Sequence, residues 1–287
     1  MAVNLIGVNT WVWVSPATDA ELQRLVPRIS GWGFDGVELP VENPGDWDPS
    51  ATRDLLQQHG LTALSTCAAM APGRELVAAD QQTVAAAQQY IRAAIDMAAA
   101  VGAPTLGGPI YAAVGRTWRI EDRAAMVAEL AENLRPLADY AGERGVRLGI
   151  EALNRFETSV LNTVEQVLEV VGAVGSDACG VMLDTFHMNI EEKDPIAAIR
   201  AAGEQVVHVQ ISGSDRGAPG RDHIDWVGVA AALRAIDYTG PLTIESFTVE
   251  NESIAKAAAI WRPLEPSQDD IATVGLATLR RVLGNGG

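Results

Sequence analysis

Cysteine is scarce. Cys67 and Cys179 are the two present, too few for a disulfide framework or a Cys-based zinc ribbon. Positive charge is scarce as well. The chain carries 21 Lys and Arg against 37 Asp and Glu, a net charge of −16. No basic stripe can form the electrostatic footprint of a general nucleic-acid binder, so no nucleic-acid partner is expected. The opening stretch MAVNLIGVNTWVWV has neither a basic n-region nor an A-x-A cleavage site. No run of 18 apolar residues is present to span a membrane, and a cytoplasmic protein is the expectation. G-x-G-x-x-G after the first strand, a P-loop, an internal repeat and a low-complexity tract are all missing.

What remains is a chain of 287 residues, 48% hydrophobic and 20% charged. Such a composition can bury a large core. Short apolar runs alternate with longer amphipathic or Ala-rich segments from end to end. Strands are predicted at Leu5–Thr10, Gly36–Leu39, Ala63–Thr66, Thr105–Gly108, Arg147–Glu151, Gly180–Leu183, Val206–Gln210 and Leu242–Glu245. The intervening helical patterns cover Asp19–Ser30, Ser50–His59, Gln81–Val101, Ile120–Arg144, Thr163–Val174, Asp194–Ala202 and Trp226–Ile236. A last helix is predicted at Asp269–Leu283.

Punctuation agrees with this pattern. Gly60, Gly102, Gly145, Gly175 and Gly203 stand where helices stop and a left-handed cap is wanted. Asn162-Thr163 with Gln166, and Ser50 with Asp54, resemble helix starts. Eight strand–helix repeats with no linker imply an α/β fold, a single (β/α)8 TIM barrel over residues 1–287. A doubly wound open sheet is the competitor, but it usually has fewer strands.

In such a barrel the active site lies at the C-terminal ends of the strands. The fifth strand ends RLGIEALNRFET, with Glu151 at the mouth. The sixth ends GVMLDTFHMN, with Asp184 there and His187 three residues on. The seventh ends VVHVQISGSDR, offering His208 or Gln210 and then Arg216. The eighth ends LTIESFT, with Glu245 at the mouth. One acid at a strand end often only caps a loop. Three converging carboxylates repel, and a divalent metal is the natural neutraliser. Carboxylates plus one neutral donor make a hard site, suited to Mn²⁺, Mg²⁺ or Co²⁺.

IEALNRFETSVLNT, VMLDTFHMNIEE, SDRGAPG…HIDW and TIESF, in this order, resemble the ketose 3-epimerases. These are the D-tagatose, D-allulose (psicose) and L-ribulose 3-epimerases of the xylose-isomerase-like TIM-barrel superfamily. The resemblance covers roughly Gly36 to Phe247 and is densest from Ile150 onward. It implies a metal held by residues 151, 184, 210 and 245, with manganese favoured and Co²⁺ or Mg²⁺ as alternatives. Three of the four match as Glu151, Asp184 and Glu245. At the fourth the family usually carries the second His of His-x-His, whereas this chain reads His208-Val209-Gln210. The register of that alignment is set by Arg216.

The resemblance also implies the chemistry. Coordination of the C2 carbonyl and C3 hydroxyl of a ketose by the metal would stabilise an enediolate, with Glu151 and Glu245 as the acid–base pair that inverts C3. Glu157 and His187 match contacts to the O1 end of the sugar, and Arg216 matches a contact to oxygen near C2 or C3. Phe247 follows Glu245 as it does in the family. It joins the aromatic wall expected of a sugar pocket, together with Trp13 or Trp11. Glu38 stands at the mouth either to serve substrate or to brace another side chain. His208 is expected one layer deeper, as a supporting or core histidine.

Family members are dimers or tetramers, so a homo-oligomer is expected, with Trp118 or Trp261 available for an interface. Two other readings stand beside this one. The first is another proton abstraction of the superfamily: aldose–ketose isomerisation, inosose chemistry, or lyase cleavage of a 3-keto C-glycoside. The second is a non-catalytic carbohydrate-binding barrel, which would not require both Glu151 and Glu245. The DNA-repair branch would need a histidine-rich trinuclear zinc site, and four histidines with a strongly acidic composition do not supply one.

Overall fold

A computed structural model describes residues 4–115, 117 and 119–284. Trp118 lies outside them. Eight parallel strands close on themselves in sequence order, as the apolar runs require. In chain order the elements are β1 (Ile6–Asn9), α1 (Asp19–Trp32), β2 (Gly36–Val41), α2 (Pro49–Gln58), β3 (Thr62–Ala68), α3 (Gln81–Val101) and β4 (Thr105–Gly108). There follow α4 (Arg123–Gly142), β5 (Arg147–Glu151), α5 (Val164–Val174), β6 (Cys179–Asp184), α6 (Thr185–Glu191) and α7 (Pro195–Ala202). The chain ends with β7 (Val206–Ile211), α8 (Trp226–Ala235), β8 (Leu242–Ile244), α9 (Glu252–Ala257) and α10 (Gln268–Gly284).

Local chemistry explains the boundaries. Thr163 caps α5 by accepting from Gln166 N, and Gln166 Oε1 reaches back to the main-chain N–H of Asn162. The helix stops at Gly175, at φ 66°, a conformation that costs glycine little. The start expected at Ser50 lies earlier. Asp48 is the cap, accepting from Ala51 N, and Pro49 fills the first helical position, where its missing N–H is no loss. The helix expected from Ile120 begins at Arg123, because Asp122 caps it there through Ala125 N.

Two helices carry no expectation from the sequence. One is α6, a short helix beginning directly on the last residue of β6. The other is α9, in the loop after β8. The closing helix α10 packs against β1, β8 and α8. Among the described residues, no helix is long and apolar enough to cross a membrane.

Register decides what stands at the mouth. Asp184 pairs with Gln210 across β6 and β7, and Gln210 pairs with Thr243 across β7 and β8. Glu245 follows immediately, its N–H bonded to Ile211 O at 3.0 Å. Glu151 ends β5 beside Met182 of β6. The ends of β5 to β8 therefore carry the polar side chains Glu151, Asp184, Gln210 and Glu245.

Candidate active site

Glu151, Asp184 and Glu245 converge at the C-terminal mouth, each no more than 3% exposed. Asp184 divides its two oxygens. Oδ1 caps α6 by accepting from Phe186 N at 2.7 Å, and Oδ2 turns into the mouth. There it meets Arg216 Nη1 at 2.7 Å, which also reaches Glu245 Oε2 at 2.7 Å. Arg216 is itself buried, with a left-handed backbone at φ 68° and its guanidinium over the rings of Phe186 and Phe247, 4.2 and 5.0 Å from their centroids. It does not brace Asp215 or Asp222. Its main-chain oxygen accepts from Ser246 Oγ, which ties the loop after β7 to the end of β8.

One guanidinium cannot neutralise three buried acids. Burial, and then the neighbouring carboxylates Asp184 and Glu245, push Glu151 well above the usual carboxylate range. Glu245 is pushed up in the same way by burial, with Arg216 opposing and Asp184 and Glu38 reinforcing. Burial also works to raise Asp184, but the charge of Arg216 and His187 and the Phe186 N–H hold it below its ordinary value. Two of the three acids thus resist ionisation unless further positive charge arrives.

His187 stands among them, its Nε2 3.6 Å from Glu151 Oε1 and 3.8 Å from Asp184 Oδ2. Ligand atoms of Glu151, Asp184 and His187 all lie within 4.8 Å of one another, close enough to share an ion. Burial, then Arg216, push His187 down to about 4, so the ring is neutral at ordinary pH. Its Nδ1 accepts the main-chain N–H of Asn154 at 3.0 Å. Its Nε2 faces Arg216 Nη2 at 2.9 Å, so each ring nitrogen lies against a donor.

Asn154 escaped the sequence reading although it lies inside NRFET. Besides its main-chain bond to His187, its side-chain amide donates to Glu157 Oε1 at 2.7 Å. It thereby sets both groups expected at one end of the sugar. Arg155, an alternative partner for Glu157, turns away and forks onto Glu191.

Below this layer lies a second polar one. Glu38 is fully buried and accepts four hydrogen bonds. Asn9 Nδ2 and Gln210 Nε2 reach Oε1 at 2.8 and 2.7 Å, while Ser65 Oγ and His208 Nε2 both reach Oε2 at 2.6 Å. Four donors fill a carboxylate, so Glu38 braces its neighbours and has nothing left for substrate. His208 is one of them, a supporting histidine under the mouth. Gln210 Nε2 also donates to Glu245 Oε1 at 2.9 Å, and Gln210 Oε1 is buried with no partner.

A pocket of about 170 Å³ opens onto this cluster. Glu151, Glu157, His187, Arg216 and Glu245 form its polar side. Trp11, Cys67, Met70, Leu153, Phe247 and Ile254 belong to the apolar side. Trp11 and Phe247 meet at 5.7 Å between ring centroids, tilted by 52°. Trp13 is not on the wall. It stacks on Trp32 of α1 at 5.6 Å and donates from Nε1 to Asp269 of α10, because the turn after β1 points it outward between those helices. Of the two tryptophans that follow β1, Trp11 is the pocket residue.

A buried triple-carboxylate mouth at the C-terminal ends of the strands stands where enzymes of the (β/α)8 fold carry their active sites. The family model described as xylose isomerase-like TIM barrel matches residues 26–264. The chain belongs to that family and, within it, to the ketose 3-epimerases. It is 32% identical over 280 residues to L-ribulose 3-epimerase from Methylomonas sp., covering 96% of both chains. It is 31% identical over 277 residues to ketose 3-epimerase from Arthrobacter globiformis, covering 96% of this chain and 95% of that one. The solved structure of D-allulose 3-epimerase from Methylomonas sp. in complex with D-allulose superposes with a TM-score of 0.91 at 30% identity, over 98% of each chain.

Proposed function

We propose that this protein is a metal-dependent isomerase that inverts C3 of a free ketose. The observation that carries the reading is the placement of Glu151 and Glu245. They stand at the ends of β5 and β8, three strands apart around the barrel, and both line one pocket. The relatives' names supply the reaction type.

The donor set fits a divalent metal. Three buried carboxylates share one guanidinium, and the partnerless Gln210 Oε1 lies one strand from Asp184. Glu151, Asp184, Gln210 and Glu245 would hold the ion, with Mn²⁺ favoured and Co²⁺ or Mg²⁺ as alternatives. When bound, it supplies Lewis-acid polarisation of the C2 carbonyl and stabilises the enediolate. Glu151 and Glu245 act on opposite faces of C3, one removing the proton and the other returning one. His187 and Glu157, the latter steadied by Asn154, bind the O1 end. Arg216 donates to oxygen near C2 or C3. Trp11 and Phe247 cover C–H faces and keep water out.

The sugar is read as unphosphorylated, because Arg216 is the one cationic side chain on the pocket wall among the described residues. We read the chain as one cytoplasmic domain that assembles as a homodimer or homotetramer. Trp261, 75% exposed, suits an interface, and light scattering after gel filtration would test that assembly. The decisive test of function is product analysis by NMR in D₂O over a panel of ketoses with Mn²⁺. Deuterium entering at C3 with formation of the C3 epimer is expected. Exchange at C1 with an aldose product would replace this reading with aldose–ketose isomerisation.

A further inference from the structure

The seventh strand carries an amide at position 210, and its surroundings are specific to that group. Gln210 Nε2 lies 2.7 Å from Glu38 Oε1 and 2.9 Å from Glu245 Oε1. Only the nitrogen can stand between two carboxylate oxygens, because an amide oxygen there would face two acceptors. The orientation of the amide follows from its neighbours. Glu38 cannot move to suit Gln210, since its remaining capacity is taken by Asn9, Ser65 and His208. Both N–H groups of Gln210 are thus committed, and Oε1 remains as a buried oxygen without a partner.

We infer that Glu38 is a positioning residue that locks the Gln210 amide with Oε1 presented to the metal and Nε2 holding Glu245. The inference rests on the metal-dependent reading above and adds to it how the ligand is oriented. A histidine ligating through one ring nitrogen has a single N–H left, enough for Glu38 or Glu245 but not for both. The amide has two. Gln210 therefore joins three things that an imidazole could not: the buried Glu38–His208 layer, the acid–base carboxylate Glu245, and the cation. Partners of this outer kind orient ligands, and their loss typically costs about 10–100-fold in metal affinity.

The test is a double-mutant cycle on Mn²⁺ affinity, measured by titration calorimetry on metal-stripped protein with no substrate present. Gln210→Met keeps the length of the side chain and removes both N–H groups and the oxygen. Glu38→Gln removes the charge that holds the amide, and Glu38→Asp, which withdraws the carboxylate by one methylene, serves if that variant does not fold. Each single change should weaken Mn²⁺ binding by about 10-fold or more. The double variant should bind no worse than Gln210→Met alone, because Glu38 acts through the amide. In metal-free wild type, the Gln210 side-chain NH₂ should also appear in ¹H–¹⁵N spectra as a pair protected from exchange, identified by its loss in Gln210→Met and exposed in the Glu38 variant. Unchanged affinity in the Glu38 variant would overturn the inference, as would losses that simply add. Those results leave the metal reading intact, whereas a wild type that binds no Mn²⁺ sinks both.

Discussion

Arg216 Nη1 stands 2.7 Å from Glu245 Oε2, and both side chains are buried. The same nitrogen bridges to Asp184 at 2.7 Å. Desolvation opposes the charge of the guanidinium, but Asp184, Glu245, Glu157 and Glu151 together outweigh it and drive its pKa up, so Arg216 is a permanent cation in the floor of the pocket. It partly offsets the three acids, and two consequences follow. The cluster holds together in the folded protein with one cation inside it. It also has unmet demand for positive charge.

That demand gives the first expected outcome. EDTA treatment should abolish ketose turnover, and Mn²⁺ should restore it. Asp184→Asn removes one anionic oxygen from the mouth and should weaken Mn²⁺ binding in calorimetry. Full turnover in protein shown by elemental analysis to be metal-free would refute metal dependence.

Glu151→Gln and Glu245→Gln should each lower kcat on a ketose by at least about 10²-fold, the usual scale for a general acid or base. Both remain hydrogen-bonding side chains of the same size, so circular dichroism should show the fold retained. Near-wild-type turnover in either variant would contradict the two-carboxylate mechanism.

Gln210→His replaces a hard amide oxygen by imidazole, a stronger ligand for later transition metals. Mn²⁺ affinity should rise and metal preference should shift toward Co²⁺. Competition titrations of the two ions against wild type and variant would measure this. A variant with unchanged affinity and preference would show that residue 210 does not ligate.

Three of the five polar groups on the pocket wall are glutamates, and Arg216 is already engaged by two carboxylates. A phosphate ester should therefore be repelled. Steady-state kinetics should give a kcat/KM for a ketose phosphate at least about 10-fold below that for the free sugar, roughly 1.4 kcal/mol of discrimination. Equal or better use of the phosphate ester would contradict the free-sugar reading.

Trp11 and Trp13 should separate in their effects. Trp11→Ala opens the wall beside Phe247 and should raise KM for a ketose. Trp13→Ala empties a buried stack between α1 and α10 and should cost about 3–5 kcal/mol of stability. Denaturant melts and kinetics on both variants would show the division, and a KM defect larger in Trp13→Ala than in Trp11→Ala would reverse the assignment.

The barrel was legible because its cues are local. Apolar runs four to six residues long, separated by capped helices, fix strands and helices one at a time. Eight such repeats leave few ways to close. The acids at the ends of β5, β6 and β8 were legible for the same reason, since position along a strand is also position along the barrel axis. The short helix α6 was not, because it is seven residues long and starts on Asp184 without a separate cap.

The sequence by itself determined the repeat, the family, and which side chains end which strands. Only the tertiary structure decided which way those side chains turn and what they meet. Strand alternation could not say whether Trp11 or Trp13 faces the sugar, because the chain leaves the strand in a 3-10 turn at Thr10–Val12, where period-two reasoning fails. Nor could it reveal that Asn154 joins His187 to Glu157, or that Glu38 is saturated by donors from β1, β3 and β7. Those contacts join residues up to 172 positions apart. They exist because closing the barrel brings distant strands within hydrogen-bond reach of one another, and a buried carboxylate there persists only when its oxygens are paired.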